Sequence, residues 1–156
     1  MANTMIEKVS DFYAQHAETI CDDRLEQWPE FYADECVYKI TSRVNYERKL
    51  PIGLMFAESK GALIDRVTAI RNTMVFSPRY MTHLVSNVRI VSEQDGILET
   101  RSQFVAYLTL VDGTPELQLL GRTFDKIDTM DSALKLKERI VVFDNELVPG
   151  SVVYPV

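Results

Sequence analysis

Cysteine and histidine are scarce in this chain. Its 156 residues contain two of each, Cys21 and Cys36, His16 and His83. No CxxC, CxH or HxxxH spacing brings any of them together. A structural zinc or an iron–sulfur cluster takes about four such ligands in close pairs, so the chain is expected to bind no transition metal by itself. Two thiols make no disulfide framework, and both are read as packing residues, Cys36 within an apolar, strand-like run. Long hydrophobic runs are missing as well. No stretch approaches the roughly 18–20 apolar residues of a membrane span, and MANTMIEKVS opens without the basic region and apolar run of a leader peptide. Positive charge is in deficit: 17 Lys and Arg against 23 Asp and Glu leave a net charge of −6, which repels phosphate backbones and anionic lipid. These absences predict a soluble cytoplasmic protein with neither nucleic acid nor membrane as partner. With 6 Gly, 6 Pro and 46% hydrophobic residues, collagenous, disordered and repeat architectures are excluded.

What is present is a clear change of period along the chain. From Met5 to Cys21 the residues Ile6, Val9, Phe12, Tyr13, Ala17 and Ile20 recur at three- and four-residue spacing, the stripe of an amphipathic helix, with Asn3 or Thr4 as its cap. Leu25, Trp28, Phe31 and Tyr32 repeat that spacing in a second, short helix, Pro29 suiting only a first turn or a bend. Glu35–Arg43 alternates with period two and reads as a strand. Arg43–Lys49 reads as a polar loop and Pro51–Glu58 as an extended apolar segment. Lys60–Thr73, with Leu63, Ile64, Val67 and Ile70 on one face, reads as a third helix.

From Met81 on, period-two runs are separated by turn signals at Asp95-Gly96, Asp112-Gly113 and Met130-Asp131-Ser132, which predicts an antiparallel meander. The run Ile97–Val111 is long for a strand and should bend or carry a bulge. In the last strand Leu134, Leu136, Ile140 and Val142 are expected inward, Lys135, Lys137 and Arg139 outward. The apolar end Val152–Val156 should dock somewhere. Helices first and strands second indicate an α+β fold, the helices packed in a strongly curved, mostly antiparallel sheet. We expect one domain over 1–156, with a helical part about 4–73, a meander about 80–145 and a docking tail about 146–156.

Three segments carry a more specific signal: DDRLEQWPEFYADECVYKIT at 22–41, ESKGALIDRVTAIR at 58–71 and SPRYMTHLVSNVRI at 77–90. In this order they resemble the small (beta) subunits of Rieske non-haem iron aromatic-ring-hydroxylating oxygenases. Trp28-Pro29, the ESK and DRV segments and the terminal SVVYPV are most similar to subunits acting with aromatic carboxylates such as salicylate or terephthalate. The resemblance implies a cystatin-like, NTF2-like cone. It also implies a large alpha subunit as partner, a trimer of this chain within an alpha3beta3 hexamer, and a structural role in assembly without catalytic residues. The Rieske [2Fe–2S] cluster and mononuclear iron would then sit in the partner, with NAD(P)H electrons arriving through a separate reductase.

A cone can also hold an active site, so the polar residues have a second reading. A stand-alone isomerase or dehydratase would use His83 as acid/base, oriented by Asp34 or Asp65, with Tyr32 or Tyr38 donating to an oxyanion. The plainer reading makes His83 a buried junction histidine, His16 a wall residue, and Trp28, Phe31, Tyr32 and Tyr38 the plug of the cone. Arg79 and Tyr80 are the residue types that dominate interfaces. Arg66, Arg71, Val153 and Tyr154 complete the expected interface set.

Overall fold

The computed structural model describes residues 4–156. The first helix, α1 (Met5–Cys21), begins where expected because Thr4 closes a capping box: its hydroxyl accepts from the Glu7 amide, and its own amide donates to the Glu7 carboxylate at 2.6 Å. The other candidate cap, Asn3, lies outside the described residues. Val9, Tyr13, His16, Ala17 and Ile20 form its buried stripe. A 3₁₀ segment, Leu25–Phe31, buries Leu25, Trp28 and Pro29, and the chain then enters β1 (Tyr32–Ser42).

The expected loop at 43–49 is instead a short helix, α2 (Arg43–Glu47), started by the Ser42 hydroxyl accepting from the Asn45 amide. Five residues are too few to show a period. Within 51–58 only β2 (Met55–Ala57) is a strand, antiparallel to β1. Gly53 leads into it because a Cβ there would lie 2.5 Å from the Ile40 carbonyl oxygen. Helix α3 (Lys60–Asn72) is capped by Ser59 and buries Leu63, Val67 and Ile70, while Ile64 faces out.

The meander is β3 (Arg79–Gln94), β4 (Ile97–Leu110), β5 (Glu116–Asp128) and β6 (Lys135–Phe143). The sheet order is β2-β1-β6-β5-β4-β3, and only the β1–β6 pair is parallel. The architecture is therefore α+β, helices against one curved mixed sheet. The irregularities that bend it lie in β3, which slips register after Ser86 and after Ile90, and in β5, where Gln118 is the extra residue opposite Ala106 and Tyr107. The long β4 stays regular and its neighbours adjust to it.

A bulge also corrects the expected faces of β6. Ile127 pairs with Leu136 but Lys126 pairs with Glu138, leaving Lys137 unpaired. One extra residue reverses the alternation, so Arg139, Val141 and Phe143 point into the cone, while Ile140 stays out of the core cluster. Arg139, expected to face solvent or a neighbouring chain, is 2% exposed.

The tail docks on its own chain. Val153, Tyr154 and Val156 are buried in the core cluster. The Val156 amide donates to the Tyr38 hydroxyl at 3.0 Å, the Tyr154 hydroxyl donates to Asp23 at 2.8 Å, and the Arg66 guanidinium holds the Val152 and Val153 carbonyls at 3.3 and 3.1 Å. Charge-assisted bonds of this kind are worth about 1.5–3 kcal/mol each. Arg66→Met should therefore free the tail, seen as faster protease cleavage after about residue 150 and a melting temperature lowered by several degrees. An unchanged cleavage pattern would show that Val153 and Tyr154 hold the tail without Arg66.

Candidate functional site

The concave side of the sheet, where a cone-shaped enzyme would keep its chemistry, holds a buried polar row. β5 and β6 place Asp125 directly opposite Arg139, and β4 places Thr100 opposite Asp125 and Ser102 opposite Thr123. Across from them α1 contributes Tyr13. Arg139 donates to Asp125 Oδ2 at 2.9 Å, Tyr13 donates to the same oxygen at 2.6 Å, and Thr123 at 3.1 Å. Since Tyr13 spends its proton there, the Thr100 hydroxyl, 2.5 Å away, donates to Tyr13, and Ser102 donates to Thr123 at 2.7 Å. The Arg139 guanidinium also lies 5.4 Å from the centre of the Tyr13 ring.

Burial pushes the Asp125 carboxyl above its usual range, opposed by the charge of Arg139 and by the bonds from Tyr13 and Thr123. Burial and the Asp125 charge hold the Tyr13 phenol far above its ordinary value. Three donors converge on Oδ2, while Oδ1 and the Arg139 Nε are buried without a partner; the carboxylate serves as the counter-charge of Arg139.

His16 and Tyr32 form a second buried group. The Trp28 indole N–H donates to His16 Nε2 at 3.1 Å, so that nitrogen carries no proton, and the Tyr32 hydroxyl lies 3.2 Å from it. Burial, then the charge of Arg139, holds the His16 imidazole well below its ordinary value. The rings of Trp28, Tyr32 and Tyr38 meet edge-on at 5.1–5.9 Å between centres. Tyr38, raised to about 12 by burial, receives the tail. These aromatics fill the cone.

The residues of the acid–base reading are not gathered. His83 faces α1 from β3, its backbone amide donating to Cys21 Sγ at 3.3 Å, and its buried Nε2 has no partner. Burial and the Arg139 charge bring its imidazole down to about 4. Asp34 on β1 and Asp65 on α3 are exposed, and neither is bonded to His83. Tyr32 serves His16 instead. His83 lines a cleft of about 560 Å³ with Ala14, Ala17, Cys21 and Val85, but no carboxylate bonds to its ring there. Among the described residues no group of three or more His, Cys, Asp or Glu side chains is arranged to hold a metal ion, and no helix is long and apolar enough to cross a membrane.

The interface candidates divide. Arg71 is committed within the chain, to Glu26 at 2.6 Å and Asp23 at 2.9 Å, as Arg66, Val153 and Tyr154 are to the tail contact. Arg79 bonds the Ser77 carbonyl at 3.1 Å and lies over the Phe76 ring. Tyr80 is 67% exposed, with Leu110 and Val111 also exposed at the facing end of β4. Sequence reasoning missed Tyr13, Thr100, Asp125 and Arg139 as a group. The available signal was the run Thr123-Phe124-Asp125-Lys126-Ile127, whose period of two puts Asp125 on the same face as Ile127.

Comparison with known proteins shows which family the chain resembles. The family model described as "Ring hydroxylating beta subunit" matches residues 15–150. The chain is 28% identical over 135 residues to the anthranilate 1,2-dioxygenase small subunit of Burkholderia cepacia, covering 86% of this chain and 84% of that one. It is 29% identical over 148 residues to subunit beta 2 of the terephthalate 1,2-dioxygenase terminal oxygenase component of Comamonas sp, covering 95% and 96%. A solved beta subunit assigned to an aromatic-ring-hydroxylating dioxygenase of Novosphingobium aromaticivorans superposes with a TM-score of 0.88 at 29% identity, covering 96% and 95%. With a matched model over most of its length and a cone of the NTF2-like type, the chain belongs to the ring-hydroxylating beta-subunit family.

Proposed function

We propose that this chain is the assembly subunit of a Rieske oxygenase that hydroxylates an aromatic carboxylate, with three copies joined to three large subunits. One observation supports the reading beyond the family match: the side chains of the acid–base alternative are not gathered, since His83 Nε2 has no partner, Asp34 and Asp65 are exposed, and the Tyr32 hydroxyl lies on His16. In this reading the Rieske cluster and the mononuclear iron belong to the large subunit, and electrons come from NAD(P)H through a separate reductase. The aromatic carboxylate rests on relatives whose names specify anthranilate and terephthalate. For the large-subunit contact we propose the end of the sheet formed by Arg79, Tyr80, Leu110 and Val111, where an aromatic and an arginine sit among exposed aliphatic side chains.

The test is native mass spectrometry, with an absorption spectrum, on tagged chain purified from its own cells grown on an aromatic acid. A coloured complex with an equal number of larger iron–sulfur subunits is expected. A colourless species containing only this chain would overturn the reading.

A further inference from the structure

The convex side of the sheet carries positive charge that the chain does not neutralise. Past the bulge in β3, Arg89 stands directly opposite Arg101 on β4, and Arg101 stands opposite Phe124 on β5. One row along, Arg122 stands opposite Gln103. Among the described residues none of these three arginines forms an ion pair. The nearby acids are engaged elsewhere: Glu99 accepts from the Ser92 hydroxyl, and Glu138 is paired with Lys126 at 3.2 Å.

Like charges directly opposite across a strand pair are unfavourable, and here they persist in a chain whose net charge is −6. The patch is also stiff. Tyr46 stacks on Phe124 at 4.9 Å and 12°, and the Arg101 guanidinium lies 5.4 Å from the centre of the Phe124 ring. Flat, preorganised Arg and aromatic surfaces dominate binding energy at interfaces. Leu84, 56% exposed, adds an apolar margin.

The complementary surface is on the same molecule. Two adjoining clefts, both lined by Ala133 and Lys135, lie where β5 turns into β6: Asp11 lines one, beside Lys8, and Asp34 and Asp131 line the other, while the Lys135 ammonium is bonded to the Glu30 carbonyl. All three carboxylates are exposed and, among the described residues, none is in an ion pair. A face on one side and its complement at another end make a heterologous contact, which closes into a ring when the rotation permits.

We propose that the Arg89–Arg101–Arg122 face is where a second copy of this chain docks, presenting its Asp11–Asp34–Asp131 end. The inference rests on the reading of the chain as an assembly subunit, and it names which surfaces join the small subunits.

Sedimentation velocity on the purified chain, at low and high salt, gives the test. Self-association should weaken as salt rises. The double variant R89E/R101E and the double variant D34K/D131K, both altered only on the surface, should each lose at least about tenfold in self-association while keeping the wild-type circular dichroism. Mixing the two should restore association between them, because the reversed charges again match.

An unchanged association in either variant, a wild-type chain that stays monomeric at every salt concentration, or a mixture that fails to associate would each overturn the proposal. So would R89E/R101E retaining self-association while losing capture of the large subunit, since the face would then belong to that partner. Failure of the wild-type chain to capture any large subunit would instead sink the assembly reading and leave the sedimentation result standing as it falls.

Discussion

Replacing Asp125 by alanine should destabilise the protein by about 3–5 kcal/mol, because it leaves the Arg139 guanidinium buried without its counter-charge. For a chain of this length that corresponds to a fall in melting temperature of about 6–20 °C. The geometry sets the size of the effect. Both side chains are almost fully buried, and the carboxylate is the acceptor on which Arg139, Tyr13 and Thr123 converge. Removing it orphans three donors at once. The double variant D125L/R139M should recover most of the loss, since it removes both charges and puts apolar side chains of similar shape in their place. The Tyr13–Thr100 bond survives in it. Denaturant midpoints of the three proteins provide the measurement. If D125A lost no more than about 1 kcal/mol, the pair would have to be open to water, and the interior would not be the closed core described above.

The same pair shows how far the sequence could be read. α1 was legible because its signals are local: a capping threonine, a glutamate three residues on, and a stripe at helical spacing. The turns at Asp95-Gly96 and Asp112-Gly113 were legible for the same reason, and Asp95 and Gly96 do take positive φ values of 52° and 76°. Arg139 was not legible. Its direction is set by one unpaired residue, Lys137, and that bulge exists only because β5 and β1 on either side pair with Leu136 and Glu138 out of step.

β2 is three residues long and is defined by its pairing with β1, so no periodicity announces it. The fate of the tail was half legible. Its apolar composition showed that it must be buried, but whether on its own chain or a neighbour depended on Tyr38, Asp23 and Arg66, more than 80 residues away in sequence. The candidate site failed for a related reason. His83, Asp34 and Asp65 are the right residue types for acid–base work, yet the fold sends both carboxylates to solvent, and the one carboxylate buried among the described residues, Asp125, is matched by an arginine.

Acidification should destabilise the protein steeply well above the usual carboxylate range, and the two histidines are the cause. His16 and His83 have imidazoles held below the ordinary value of 6.5, chiefly by burial and then by the charge of Arg139, and for His83 the folded value is about 4. A folded-state value that is depressed gives stability that is fully present above 6.5 and is lost as the pH falls toward the folded value, because unfolding must then take up the protons. At pH 5 an imidazole that stays neutral in the folded protein and is charged in the unfolded one costs about 2 kcal/mol relative to pH 6.5 or above.

Two such groups give a slope of about 2.7 kcal/mol per pH unit near pH 5, the half-buried His83 contributing the smaller share. Chemical denaturation at a series of pH values between 7 and 5 measures that slope directly. His83→Gln should reduce it by up to about half, since one proton no longer enters on unfolding. His16 remains as the source of the rest, held neutral because the indole of Trp28 occupies its lone pair and Arg139 opposes its charge. A flat stability profile down to pH 5 would mean that both imidazoles already take up protons in the folded state, which for His16, enclosed by Trp28, Phe31 and Tyr32, the packing does not allow.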